Sequence, residues 1–379
     1  MRIVVAINGT INLKISGGHE VRIYELFNRL ALENEVHIIQ IAEDSKIWKK
    51  GNLIIHNIQP IRGRLGSILY ERHYFLARYL YSLKVAKVVK SIRPDLVDYN
   101  SWVFPLFKRK YKMVATCALM PTASKLNPSL KRLFYTIDLY LLKYKMKRAD
   151  HLIFLSKQMQ ERFEKFVSKI GISYDYVPNG VDRDIFHIGD KEKARQVNLL
   201  PQEKKIVFFC SRLEEHKRPF DFLHAVQKLP DNYVGLMAGK GPLSEEIEKW
   251  IQVNHLASRF IIKGPVEKQN LSCLYVASDV VIYPGEFEIQ PLVPQESMAC
   301  GTPVIVSNTL GNNEIVKNHE NGILFELGNV EEIVENILYL EGNTEFRIKC
   351  IENGLNFMRD RNWEETANLT FSIYSNLCK

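Results

Sequence analysis

The sequence predicts an α/β protein of two doubly wound domains facing each other across a cleft, and three observations predict it. Short apolar runs of strand character alternate with helical stretches, which implies parallel sheets covered on both faces. The alternation passes through the first half and starts afresh near residue 205. A chain of 379 residues is also long enough for two domains of ordinary size, each with its own core.

The elements follow in order. IVVAI (3–7) reads as a buried strand, then a loop with Ser16-Gly17-Gly18 leads into an amphipathic helix from 20 to about 32. VHIIQI (36–41), DLVDY (95–99), KMVATC (112–117) and HLIFLS (151–156) are strands separated by helical segments. The second half repeats the pattern with KIVFFC (205–210), YVGLMAG (233–239), RFIIKG (259–264), DVVIYP (279–284) and PVIVS (303–307). Helices over 243–253 and 267–277 fill two of the gaps. The polar stretch DKEKARQVNLLPQE (190–203) is the best linker candidate. The expected division is therefore 1–190, then 191–360, with a helix over 361–379 packing back towards the N-terminal domain. Ligands of open α/β sheets bind at the carboxyl ends of strands, so loops there should line the cleft.

Composition narrows the class. Hydrophobic residues at 46% and charged ones at 25% suit a globular protein. No apolar run approaches the ~18 residues a membrane span needs. The start, MRIVVAINGT, lacks the layout of a signal peptide. Cys117, Cys210, Cys273, Cys300, Cys350 and Cys378 form no CxxC pair or Cys/His cluster, so a reduced, cytoplasmic protein is expected. The net charge of +8 is uneven: residues 60–150 hold 19 Lys/Arg against 5 Asp/Glu, and the C-terminal half is slightly acidic. Such a block points to a surface that meets anions.

The most informative stretch is EIQPLVPQESMACGTPVIVS (288–307). Glu288 falls on the loop leaving a strand, and Pro294 suits the first position of a helix, which places Glu296 in its first turn. Carboxylates there can grip sugar hydroxyls while the free helical N–H groups attract phosphate. Alternatively, Glu296 merely complements the helix dipole and Glu288 is a surface residue. SRLEEHK (211–217) follows the first strand of the second half, so Arg212 and Lys217 project where a diphosphate could sit. Gly239-Lys240-Gly241-Pro242 and Gly264-Pro265-Val266 are further strand-end loops that allow close backbone approach. Asp182-Arg183-Asp184 forms a DxD triplet, but the PNGVD turn (178–182) and Phe186 explain it structurally and no metal site is assigned. Gly17-Gly18 lacks the GxGxxG spacing.

Together these segments, from SGGHE to NGILFELGN (321–329), resemble glycosyltransferase family 4, also described as glycosyl transferases group 1. The resemblance implies two Rossmann-like domains of GT-B type and a retaining, metal-independent hexosyl transfer from a UDP- or GDP-linked donor without a further cofactor. It implies that Glu288 meets the donor sugar beside the reacting carbon and that Glu296 holds the ribose. Arg212 and Lys217 would bind the diphosphate and stabilise it as it leaves, with Gly17 and Gly18 closing from the opposite domain. The backbone near Val266 would face the base, and Gln290 and Leu292 belong to the same donor-binding stretch. Two departures stand out. Gln290-Pro291 replaces the family's Phe-Gly, so Pro291 offers no N–H where Leu292 keeps its own. The strand VATCAL (114–119) offers Cys117 and Ala118 where a histidine is common. His19, in the glycine loop, is either a solvated polar residue or a group that approaches the site.

The basic block is also aromatic. Leu130, Leu133, Phe134, Ile137, Leu141 and Tyr144 lie at helical spacing among lysines and arginines. They form either a core-facing stripe with a solvated basic side or a surface that rests on anionic lipid and reaches a lipid-linked or glycan acceptor. No nucleic-acid-binding module accompanies the charge. A nucleotide-sugar 2-epimerase of the same build and a non-catalytic sugar-nucleotide-binding protein are the rival functions.

Overall fold

The computed structural model describes residues 1–11, 17–59, 74–100, 103–106, 110–117 and 128–379, with backbone only at 74–77 and 128–135. The chain forms two compact units, one of Met1–Pro178 with Trp363–Lys379 and one of Asn179–Asn362.

The first unit carries strands β1 (Arg2–Ala6), β2 (Glu35–Ile41), β3 (Ile47–Lys50), β4 (Leu53–Ile58), β5 (Leu96–Tyr99), β6 (Lys112–Cys117), β7 (His151–Phe154) and β8 (Ser173–Tyr176). They join in the order β3-β4-β2-β1-β5-β6-β7-β8, parallel throughout except for the β3–β4 pair. Helices α1 (Gly18–Leu30), α2 (Tyr74–Ile92), α3 (Pro128–Arg148) and α4 (Lys157–Ile170) intervene. Ser156 caps α4 by accepting the Met159 N–H at 3.2 Å, and Gly171 ends it in the left-handed region at φ 65°.

The second unit carries β9 (Lys205–Cys210), β10 (Tyr233–Ala238), β11 (Phe260–Gly264), β12 (Val280–Tyr283), β13 (Val304–Ser307) and β14 (Ile323–Phe325). Its sheet is all parallel in the order β11-β10-β9-β12-β13-β14. Its helices are α5 (Lys191–Val197), α6 (Pro219–Lys228), α7 (Ser244–Val253), α8 (Lys268–Ala277), α9 (Leu292–Ala299), α10 (Asn312–Ile315), α11 (Val330–Gly342) and α12 (Thr344–Met358). Along β9, Ile206 and Phe208 enter one core cluster while Val207 and Phe209 enter the other. Burial on both faces is why this strand reads as an unbroken apolar run.

Two expectations need correction, the linker and the place of the division. The 190–203 stretch is not a linker: Asp190 caps α5 by accepting the Lys193 N–H at 3.0 Å. Arg195 of α5 is buried and holds the Asp279 carboxylate at 2.8 Å and the Ala277 carbonyl at 2.9 Å. The division comes earlier than 190, because the Val181 N–H donates to Arg361 O at 3.0 Å and Arg183 to Met358 O at 3.1 Å. The last helix, α13 (Trp363–Cys378), belongs to the first unit, where the Tyr374 hydroxyl donates to buried Asp98 at 2.6 Å.

The basic block also differs in detail. Among the described side chains of α3, Leu142, Lys145 and Met146 are buried, whereas Ile137, Leu141 and Tyr144 are half-buried. Lys145 donates to Tyr99 O at 2.9 Å, and Arg78 pairs with Asp138 at 2.6 Å. A burial line that carries Asp138 and Lys145 cannot be found by searching for apolar residues. The side chains of Leu130, Leu133 and Phe134, and residues Ser16 and Ala118, lie outside the described residues. Among the described residues no helix is long and apolar enough to cross a membrane.

Candidate functional site

The order of the second sheet reverses direction beside β9, whose partners are β10 and β12. Loops leaving adjacent strands at such a switch point diverge and open a crevice. The β9 loop carries Arg212 and Lys217, and the β12 loop carries Glu288.

The β12 loop is tied down along its length. The Ser307 hydroxyl donates to Gly285 O at 2.5 Å, the Glu286 N–H to His216 O at 2.9 Å and the Glu288 N–H to Leu310 O at 3.1 Å. Asn312, fully buried, donates to the Ser307 hydroxyl at 2.9 Å. His216 stacks on Phe287 with centroids 5.6 Å apart and planes 16° apart. Gly311 has φ +85°, and a Cβ there would lie 2.3 Å from the Glu288 carbonyl oxygen, so glycine alone fits. The β9 loop is held similarly. Gly239 and Gly241 approach the Ser211 and Leu213 carbonyls closer than any Cβ allows.

Glu288 is no free surface residue, since its side chain is 19% exposed. Its Oε1 receives the Lys217 ammonium and, at 2.7 Å, the Tyr283 hydroxyl. Lys217 also donates to the Tyr283 oxygen at 3.1 Å. Lys217 lies at the end of a single 3-10 turn, Glu215–Lys217, whose geometry is fixed by Arg218 in the left-handed region at φ 52°. Arg212, on the same loop as Lys217, is 56% exposed and pairs with Glu214 at 3.2 Å.

Glu296 departs from expectation. Helix α9 starts at Leu292 with Pro291 as its cap, so Pro294 is its third residue rather than its first, and Glu296 sits in the second turn. Pro291 is extended at ψ 135° and closes the preceding loop, while Pro294 needs no N–H partner in a first turn. Nearly every side of α9 is buried, Glu296 included, and the Tyr275 hydroxyl donates to its Oε2 at 3.0 Å. Burial raises the Glu296 carboxyl to about 7, against the opposing pull of the Tyr275 hydroxyl and the Lys268 charge.

The other expected residues divide. Leu292 is the first residue of α9. Val266 is half-buried against the second unit's core. The Gln290 side chain accepts the Asn179 N–H, and its carbonyl accepts the Asn179 amide at 2.9 Å, so it anchors the PNGVD turn. Asp182 accepts the Asp184 N–H at 3.2 Å and the Phe186 N–H at 2.8 Å, as a turn requires. Gly17 and Gly18 belong to the first unit, at the start of α1, where Gly17 O accepts the Val21 N–H at 3.0 Å. His19 is not in a loop but on α1. Burial, with the Arg22 and Lys145 charges, lowers it to about 4 and keeps it neutral. Cys117 is buried at the end of β6, where burial pushes its thiol up to about 12.

Sequence reading missed Tyr283 and Tyr275. Both look like ordinary apolar-face residues, and only the contacts reveal that each holds one of the two carboxylates.

Two α/β units with largely parallel sheets are the build of GT-B glycosyltransferases. Residues 16–185 match the model of Glycosyltransferase Family 4, and residues 190–357 match that of Glycosyl transferases group 1. The chain belongs to this glycosyltransferase family and is a transferase. An uncharacterized glycosyltransferase of Methanocaldococcus jannaschii is 25% identical over 95% of both chains. D-inositol 3-phosphate glycosyltransferase of Mycobacteroides abscessus is 28% identical over 60% of this chain, a match that spans 52% of that relative's length. Among solved structures, sucrose-phosphate synthase from Thermosynechococcus elongatus superposes with a TM-score of 0.83 at 20% identity, covering 100% of this chain and 99% of the other. Anabaena HepE in complex with UDP-glucose gives 0.76 at 16% identity, covering 99% and 100%.

Proposed function

We propose that the chain is a retaining glycosyltransferase that moves a sugar from a nucleotide diphosphate to an acceptor hydroxyl. The observation that carries this is the Lys217–Tyr283–Glu288 contact where the β9 and β12 loops diverge. A cation and a carboxylate side by side suit a sugar diphosphate, whose phosphates take Lys217 and Arg212 and whose hydroxyls take Glu288. The bond from the anomeric carbon to the diphosphate breaks and a bond to the acceptor oxygen forms on the same face. The acceptor proton goes to the departing diphosphate. Glu296 takes the ribose, with the Leu292 N–H at the mouth of α9 and the backbone near Val266 completing the donor site. The UDP-glucose complex of HepE supports a UDP-linked donor.

Arg212 and Lys217 provide the positive charge that a leaving diphosphate needs, so transfer is expected to persist in chelator. Incubating labelled UDP- and GDP-sugars with and without a lipid extract tests the function. Acceptor-dependent nucleotide release supports transfer, acceptor-free sugar conversion indicates an epimerase, and binding alone indicates a scaffold.

A second element concerns the acceptor. Tyr140 on α3 is 70% exposed, and Lys143 and Lys147 on the same helix lie 5.3 and 5.9 Å from the Phe166 ring. This exposed aromatic and basic face favours peripheral contact with anionic lipid at the cytoplasmic membrane face, where a lipid-linked acceptor would be presented. Co-sedimentation with anionic vesicles that reverses with salt is expected, and equal binding to neutral vesicles would remove the membrane from the account.

A further inference from the structure

We propose that Tyr283 is a positioning residue for sugar transfer, holding Glu288 in place while Lys217 turns to the diphosphate. The inference rests on the roles of Glu288 and Lys217 given above. Tyr283 is the last residue of β12 and is 4% exposed, so its hydroxyl is fixed by the sheet. Glu288 and Lys217, by contrast, reach it on flexible side chains from two separate loops. The Tyr283 hydroxyl oxygen accepts from Lys217 at 3.1 Å while its O–H donates to Glu288 at 2.7 Å, closing a triangle with the direct ion pair.

That triangle has a consequence when a diphosphate arrives. The phosphates compete with Glu288 for the Lys217 ammonium, and a carboxylate that loses its cation is free to rotate. The Tyr283 O–H remains on the same carboxylate oxygen and keeps it aimed at the sugar. Burial and the neighbouring Glu288 push the phenol well above its ordinary range, so the O–H stays a donor at every working pH. A group misplaced by 1 Å can lower a rate by roughly 10²-fold. Phenylalanine keeps the ring in the same core space, so the variant removes the hydroxyl alone.

The experiment compares the wild-type full chain, Tyr283→Phe, Glu288→Gln and the double variant. It measures nucleotide release from UDP- and GDP-sugars with a lipid extract, UDP and GDP binding by calorimetry, and Tm. The expected result is a kcat lowered about 10- to 100-fold in Tyr283→Phe, with KM and nucleotide Kd within about threefold. Adding Tyr283→Phe to Glu288→Gln should cause no further loss, because the hydroxyl acts through the carboxylate. Wild-type kcat in Tyr283→Phe, or losses that multiply in the double variant, would overturn the role of Tyr283 alone. A wild-type chain that transfers from no donor would overturn the transferase reading and this role with it.

Discussion

Glu288 and Glu296 are eight positions apart, yet the structure places them in opposite settings. Glu288 hangs from a loop, meets a lysine and a tyrosine, and is part-exposed. Glu296 is inside a helix that is buried nearly all round, and its hydrogen-bond donor is the Tyr275 hydroxyl. A carboxylate paired with a cation can respond to charge that moves during a reaction. One buried beside a hydroxyl resists ionisation until a ligand supplies donors. Under the proposed function the two serve different steps, Glu288 in transfer and Glu296 in binding.

The comparison can be broken most sharply at Lys217. Lys217→Ala removes the cation from the pair, and transfer should fall by about 10²–10³-fold with weaker nucleotide diphosphate binding. An unchanged rate would leave the Glu288 setting without mechanistic meaning. Gly311→Ala tests the loop that carries Glu288. The positive φ and the clash with the Glu288 carbonyl should cost roughly 1–3 kcal/mol of stability, read as a lower Tm, and an unaltered Tm would show that the loop adapts.

At Glu296 the prediction concerns pH. Its folded carboxyl, at about 7, lies above the ordinary carboxylate value, so its protonated form is favoured in the fold. The stability it contributes is fully present below the ordinary value and is lost as pH rises through about 7. Glu296→Gln should therefore gain Tm relative to wild type at pH 8 but not at pH 4. Nucleotide affinity of the wild type should rise between pH 6 and pH 8, and a flat profile would contradict an ionised ribose-binding role. Arg212 is the mildest case. Half exposed and already paired with Glu214, Arg212→Ala should weaken nucleotide diphosphate binding about tenfold.

The fold was legible because β9, β12 and their neighbours are buried on both faces and must read as apolar runs. The position of Glu288 followed from the end of the DVVIYP run at Pro284. What escaped was whatever depends on contacts distant in sequence. The 190–203 stretch is polar because α5 turns a charged face outward, while its Arg195 reaches inward to Asp279 across 84 positions. Pro291 and Pro294 both suit a helix start, and only the loop geometry selects Pro291. Tyr283 and Tyr275 look like core aromatics in sequence, because a buried hydroxyl leaves no mark on periodicity.

The division of labour between the two carboxylates is tested most directly by measuring nucleotide binding and sugar transfer on one preparation of Glu288→Gln. Nucleotide Kd should stay within about threefold of wild type while transfer falls by about 10²-fold or more. Transfer at the wild-type rate in that variant would contradict the account.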